Sequence, residues 1–238
     1  MFALKLMTYN IQGHMASRYT DHLEKIAEVI TRISPDIIGL QEVHSRTRKL
    51  PIDQGERLAG LTGLSLAFGR SCSMDGGEYG NAVLTRGTVT RSEISLLPGA
   101  GEPRSIMRAD VNIDGTALSF FVTHLSAWGR VRRRDRLAQI ARVGAITAEA
   151  PHPHILTGDF NVPPTAEEIR VLMAQGHLRA SDPLLDFTYR LLRQRLDYVF
   201  CDPRWTVLNS DVVRTGPSDH WPVVVELELK EPDGLANC

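Results

Sequence analysis

Cysteine is scarce in this chain: Cys72, Cys201 and Cys238 are the only three in 238 residues, scattered and odd in number. Such a set can build neither a disulfide framework nor a zinc site of paired thiolates, so a reducing, cytoplasmic setting is expected. No apolar run approaches the roughly 18 residues that read as a membrane span. The stretch Met1–Met7 is too short for a secretory core and runs straight into strand-like sequence, so no leader is expected. A surplus of positive charge is missing too. Lys and Arg number 27 against 28 Asp and Glu, for a net charge of −1. A dedicated nucleic-acid binder usually carries a basic excess, because phosphate neutralisation dominates its affinity. Repeats and low-complexity linkers are also absent, which leaves one domain over residues 1–229 and a loose tail at 230–238 as the expectation.

What is present is an ordinary globular composition, 42% apolar and 23% charged, enough for a large core. Apolar spacing predicts a strand over Phe2–Tyr9 and a helix carrying Leu23, Ile26, Ala27, Ile30 and Ile33, stopped by Ser34-Pro35. A short buried strand follows over Asp36–Leu40. Asp53 with Glu56 resembles a capping box for a helix through Leu61, closed by Gly63. From Leu64 to Thr123 the chain reads as mostly extended, with strands at Ala82–Thr85, Thr88–Leu97, Ile106–Ile113 and Ala117–Thr123. Asp114-Gly115 between the last two is a hairpin signal. A helix over Arg133–Ala148, a strand at His154–Thr157 and a helix capped by Thr165 with Glu168 come next. Strands at Leu196–Cys201, Val207–Val213 and Pro222–Leu229 complete the pattern. Helices mixed with many hairpin-linked strands predict two packed sheets covered by helices.

A polar residue recurs where apolar strands end. Asn10 follows Leu6-Met7-Thr8-Tyr9, Glu42 follows Ile37–Gln41, and His124 follows Phe120–Thr123. Asp159 follows Ile155–Gly158, with Asn161 two residues on. Late in the chain Ser218-Asp219-His220 stands behind Leu196-Asp197-Tyr198, an odd place for a titratable pair. Each alone has an ordinary explanation as a turn, a surface carboxylate or a structural histidine. Together they fall where α/β sheets bind ligands, and their donor set suits acid/base work and a hard cation.

The runs Met7–Ile11, Ile38–Val43, Tyr79–Ala82, Thr123–Leu125, Gly158–Asn161, Leu196–Phe200 and Ser218–Pro222, in this order, resemble the endonuclease/exonuclease/phosphatase superfamily of DNase I-like phosphoesterases. Tyr79-Gly80-Asn81 and Glu102-Pro103-Arg104 are most similar to its compact bacterial metal-dependent hydrolase branch. The resemblance implies a four-layer α/β sandwich, two stacked mixed sheets flanked by helices. It also implies roles. Glu42 would be the main carboxylate ligand of Mg2+ (or Mn2+), with Asn10 in its outer shell or on the phosphate and Asp219 beside it. Asp159 would orient or deprotonate the attacking water, Asn161 would bond a phosphoryl oxygen, and His220, polarised by Asp197, would face the phosphate. His124 matches a second catalytic position, and Tyr79, Asn81 and Arg104 are candidates for the substrate pocket. One departure stands out: where several relatives carry a metal-side Asp two residues after the strand-end Asn, this chain has Gln12, which favours a single ion.

The basic run Arg130–Arg136 has two readings, a solvated loop and first helical turn, or an anion-steering patch led by Arg130. The function expected is Mg2+-dependent hydrolysis of a phosphodiester, in nucleic acid, lipid or a small molecule, by in-line attack of water. A phosphomonoesterase of the same fold is the alternative within enzymes. A binding module that has lost the chemistry is the rival outside them, and the survival of Glu42, Asp159, Asp197 and Asp219 argues against it.

Overall fold

The computed structural model describes residues 2–18, 21–127, 130–181 and 186–230, with Arg130 and Val131 described by backbone alone. The first half runs β1 (Phe2–Asn10), α1 (His22–Ile33), β2 (Ile37–Thr47), β3 (Leu50–Asp53), α2 (Gln54–Thr62), β4 (Ser65–Met74), β5 (Gly77–Thr85) and β6 (Thr88–Leu97). The second half runs β7 (Arg104–Ile113), β8 (Thr116–His124), α3 (Arg130–Ala148), β9 (His154–Asp159), α4 (Glu167–Ala174), β10 (Arg179–Ala180), β11 (Asp197–Cys201), β12 (Trp205–Val212) and β13 (Val223–Leu229).

These strands form two mixed sheets. The first has the order β12-β13-β1-β2-β5-β4 with β3 paired to β2, and the second the order β10-β11-β9-β8-β7-β6. Each contains a parallel pair, β1 with β2 and β8 with β9. Side chains alternate between faces along a strand, and the three cores follow that alternation. Leu4, Leu6, Phe120, Val122, Ile155 and Val199 meet between the sheets. Met7, Tyr9, Ile38 and Leu40 turn the other way, onto α1 and α2 through Leu23, Ile26 and Leu58. Phe121, Leu156, Tyr198 and Phe200 face α3 and α4 through Ile140, Val143, Ile169 and Leu172. The result is four layers, helices, sheet, sheet, helices, as expected. Full burial of a side chain such as Phe120 stabilises the sandwich by about 1.5–3 kcal/mol. The sheets approach closely at Gly39, where a Cβ would lie 2.5 Å from Thr157 Oγ1.

Local signals set several boundaries. Asp53 accepts a hydrogen bond from Glu56 N at 2.9 Å and Gly63 ends α2 with φ 73°. Asp114 and Gly115 take φ 50° and 84°, the geometry of a two-residue hairpin turn. Two expectations fail. The strand expected to stop at Leu40 continues to Thr47 through a register shift between Leu40 and Val43. The cap expected from Thr165 with Glu168 is not made: Ala166 precedes α4, and the Glu168 carboxylate instead takes Arg136 Nε at 2.9 Å, both side chains buried. Of the expected loose tail only Lys230 is described, with Nζ 2.9 Å from Pro203 O, and residues 231–238 lie outside the described residues. Among the described residues no helix is long and apolar enough to cross a membrane.

Candidate active site

Alternation decides which polar side chains meet. In β1 the residues that share parity with Leu4 and Leu6 face the other sheet, and Asn10 is the last of them. By the same count His124 closes β8 after Phe120 and Val122, Asp159 closes β9 after Ile155, and Asp197 opens β11 before Val199. Glu42 has the wrong parity. Continued alternation would send it with Leu40 toward the helices. Instead the bulge between Leu40 and Val43 inserts an extra residue, and Glu42 takes φ 62°, turning its carboxylate to the Asn10 side. A bulky residue with positive φ is strained, by about 1–3 kcal/mol, and such strain gathers at functional positions.

Asn10 links the two sheets. Its Nδ2 donates to Glu42 Oε1 at 3.1 Å and to Asp159 Oδ2 at 3.1 Å, while its Oδ1 accepts from Gln12 N at 3.0 Å. Asp159 Oδ1 accepts from Asn161 N at 2.9 Å, and the Asn161 amide donates to Leu125 O at 3.1 Å. His220 Nδ1 lies 2.8 Å from Asp197 Oδ2, and its Nε2 lies 3.7 Å from Asp159 Oδ2. His124 Nε2 approaches the same Asp159 oxygen at 3.5 Å. Thr188 Oγ1 accepts from the backbone N–H of Leu196 and Asp197 at 3.0 and 3.1 Å, which pins the start of β11.

The electrostatics of this cluster are uneven. Burial works against the charge of Glu42, but His14, His124, the Asn10 amide and His220 outweigh it and hold its pKa at about 2. His14 acts across 3.8 Å, a charge contact rather than a hydrogen bond, and its own pKa is raised by the carboxylate. His124 helps only while protonated. Burial and Arg104 push its pKa well down, so at neutral pH it is uncharged. Burial raises Asp159 to about 7, with Asp197 adding to the rise and His220 opposing it. Burial disfavours the His220 charge, yet Asp197 and Asp159 together lift it to about 10. Asp219, half-buried, is raised by burial and by Glu42.

Tyr79, Asn81 and Arg104 form a neighbouring group, and Arg130 is not shown to join it. Tyr79 is buried with its ring edge against His44 at 5.0 Å, and Asn81 Nδ2 reaches Ser105 O on the other sheet at 3.4 Å. Arg104 is buried, with Nη1 3.0 Å from Glu102 Oε1 and Nε without a partner among the described residues. Arg130 opens α3, and its side chain lies outside the described residues. The rest of the basic run is largely engaged: Arg133 pairs with Glu167, Arg136 with Glu168, and Arg132 lies 3.7 Å from Asp135. The helical-turn reading therefore fits this run better than a free anion patch.

Sequence reasoning passed over His14 and Tyr189, and it marked Ser218 as part of a run without giving it a role. His14 touches Glu42 and could have been noticed as a titratable residue just past the strand-end Asn10. Ser218 Oγ donates to Asn10 O at 2.7 Å and accepts from His220 N at 3.1 Å, tying the last loop to β1. Tyr189 packs on His220 with ring centroids 4.9 Å apart, and no sequence pattern marks it. Among the described residues, Asp159, Asp197 and His220 have ligand atoms within 4.8 Å of one another. Asp197 Oδ2 and His220 Nδ1 are already committed to each other, so this trio reads as an acid/base unit. Glu42, held ionised, and half-buried Asp219 offer carboxylate oxygens of the kind a hard cation prefers.

Residues 7–220 match the Endonuclease/Exonuclease/phosphatase family. The chain is 28% identical over 174 residues to an uncharacterized protein of Escherichia coli K12, YbhP, covering 67% of each. It is 27% identical over 168 residues to a 5'-tyrosyl-DNA phosphodiesterase of Caenorhabditis briggsae, spanning 68% of this chain but 45% of that one. A solved endonuclease/exonuclease/phosphatase structure from Beutenbergia cavernae superposes with a TM-score of 0.82 at 26% identity, covering 97% of this chain and 72% of that one. With its two-sheet sandwich and its cluster of carboxylates, histidines and asparagines, the chain belongs to the endonuclease/exonuclease/phosphatase family, hydrolases that act on phosphoester bonds.

Proposed function

We propose that the chain is a Mg2+-dependent phosphodiesterase that cleaves by direct in-line attack of water. The observation that carries this reading is the contrast across Asn10: a carboxylate held ionised on one side and a carboxylate near neutrality on the other. Pairs of titratable groups pushed apart in this way mark a division of labour.

The donor set suits a hard cation. Glu42 stays ionised, and Asp219 senses it closely enough to be raised. Glu42 would hold Mg2+ or Mn2+, with Asp219 beside it. Asn10 turns its N–H rather than its oxygen toward Glu42 and Asp159, so it would orient these carboxylates instead of binding the ion. When bound, the cation would offset negative charge on the phosphoryl oxygens.

The chain's own residues would do the rest. Asp159, poised near neutrality, would take a proton from water as the oxygen bonds phosphorus opposite the departing ester oxygen. His220 keeps its proton far above neutral pH and would face the charge that gathers on the phosphoryl group. Asp197 would fix the ring's orientation, leaving Nε2 directed to the reacting side. Asn161 would offer its remaining amide N–H to a phosphoryl oxygen. His124, uncharged, would contribute a hydrogen bond and not a proton.

The test is turnover of bis(p-nitrophenyl) phosphate against p-nitrophenyl phosphate, with Mg2+, with Mn2+ and with EDTA. Diester hydrolysis that needs the cation supports the reading. A clear preference for the monoester, or diester turnover that survives EDTA, sinks it.

A further inference from the structure

A short turn follows Thr188 at the edge of the catalytic cluster. Thr188 and Tyr189 each donate a backbone N–H to Gln194 O, at 3.0 and 2.8 Å, so residues 189–194 form a closed hairpin tip. The tip reads Arg190-Leu191-Leu192-Arg193, and all four residues are exposed. Leu191 is 72% exposed and Leu192 59%. Among the described residues this is the only place where two consecutive large apolar side chains both face solvent. No acidic residue occurs between Asp186 and Asp197.

This tip is attached to the catalytic centre. Tyr189 bridges to His220 through the backbone and packs on its ring. Arg190 N donates to Asp219 O at 2.9 Å, and Arg190 Nη1 donates to Ser218 O at 3.0 Å. A cleft of about 470 Å³ runs from the tip to Asp219, walled by Phe187, Trp221, Arg190 and Arg193. Guanidinium groups lie over these rings, Arg193 at 5.1 Å from Phe187 and Arg190 at 5.9 Å from Trp221.

Paired apolar side chains flanked by arginines, with aromatic rings behind them, match the chemistry of a bilayer's headgroup zone, where apolar groups enter and cations meet anionic lipid. Nucleic acid would use the arginines and the rings but has no partner for two projecting leucines. We propose that the turn Arg190–Arg193 seats the protein on an anionic lipid surface and so brings its centre to phosphodiesters of phospholipid headgroups. The substrate part of this proposal rests on the phosphodiesterase reading, and the seating part does not.

Vesicle flotation of the full chain tests it, using phosphatidylcholine alone and phosphatidylcholine with phosphatidylglycerol. The wild type floats with the anionic vesicles and not with the neutral ones, and added salt weakens the binding. Leu191→Ser with Leu192→Ser lowers the bound fraction by about tenfold or more, from the apolar area lost. Arg193→Gln lowers it by about fivefold, one cation's worth at such a surface. Unchanged melting temperatures confirm that these exposed substitutions leave the fold intact. Absence of flotation at every phosphatidylglycerol content overturns the proposal. So does flotation indifferent to the leucines, and so does duplex DNA binding that depends on Arg193 without any vesicle binding. Flotation reads binding alone: a wild type that binds vesicles but hydrolyses no diester keeps the surface and removes the catalytic reading.

Discussion

Glu42 and Asp159 accept hydrogen bonds from the same Asn10 amide, yet Glu42 is held at about 2 and Asp159 is raised to about 7. The difference lies in their sheets. Glu42 sits on a bulge of the first sheet, its side chain 24% exposed, with the imidazole of His14 beside it. Asp159 ends a central strand of the second sheet, its side chain 2% exposed, and its register partner across β11 is another acid, Asp197. Burial next to a like charge raises a carboxyl, and a cationic neighbour lowers it. One carboxylate is thereby kept as a standing anion and the other as a group that can gain and lose a proton in the working pH range.

Removing the proton-handling member breaks the comparison hardest. Asp159→Asn should lower kcat by about 10²–10⁴-fold, the usual worth of a positioned base, with an unchanged circular dichroism spectrum. Activity within a factor of ten of wild type would mean Asp159 is not the base. Glu42→Gln acts on the other side. It should raise the Mg2+ concentration for half-maximal activity by about 100-fold, while turnover at saturating metal falls much less. Equal losses at all metal concentrations would erase the distinction between the two carboxylates.

The pH profile sharpens it further. Rate should rise as pH passes about 7, where the Asp159–His220 pair loses its first proton, and fall as pH passes about 10, where His220 loses its own. Glu42→Gln should leave the acid limb where it is. A limb near pH 4 would assign an ordinary carboxylate instead. The smallest effect concerns the bulge. Both Glu42→Gly and Glu42→Ala delete the carboxylate, but only glycine relaxes at φ 62°. The glycine variant should therefore be the more stable of the two by about 1 kcal/mol, read by urea melts in EDTA.

Much of the layout was legible because it depends on neighbours in sequence. Asp114-Gly115 carries its own turn geometry, Asp53 and Gly63 bracket α2 by local hydrogen bonding and backbone freedom, and Asn10, His124 and Asp159 stand where apolar runs end. Parity then sends these three to one face. Glu42 shows the limit. Its motif singled it out, but its reach depends on the bulge against β5, which no spacing within β2 encodes. The cap of α4 failed for a similar reason, since a buried Arg136 from α3 competes for Glu168. Ser218 and Tyr189 matter only through contacts with β1 and His220, so their side chains carried no signal of role. Arg104 was marked by its motif, but its burial beside Glu102 became visible only with the sheets packed.

Asn10 and Asp159 are separated by 149 residues, and the hydrogen bond between them spans the seam of the sandwich. A contact that distant waits on closure of a long loop, and folds dominated by such non-local pairings form more slowly than folds built from local contacts. Each half of the chain holds only part of the centre, Asn10 and Glu42 in the first and His124, Asp159, Asp197 and His220 in the second, and His220 leaves the ribosome after all the strands but β13 have been made. Regain of catalysis during refolding therefore reports closure of the whole sandwich, and it should lag behind signals from the helices and from the local hairpins.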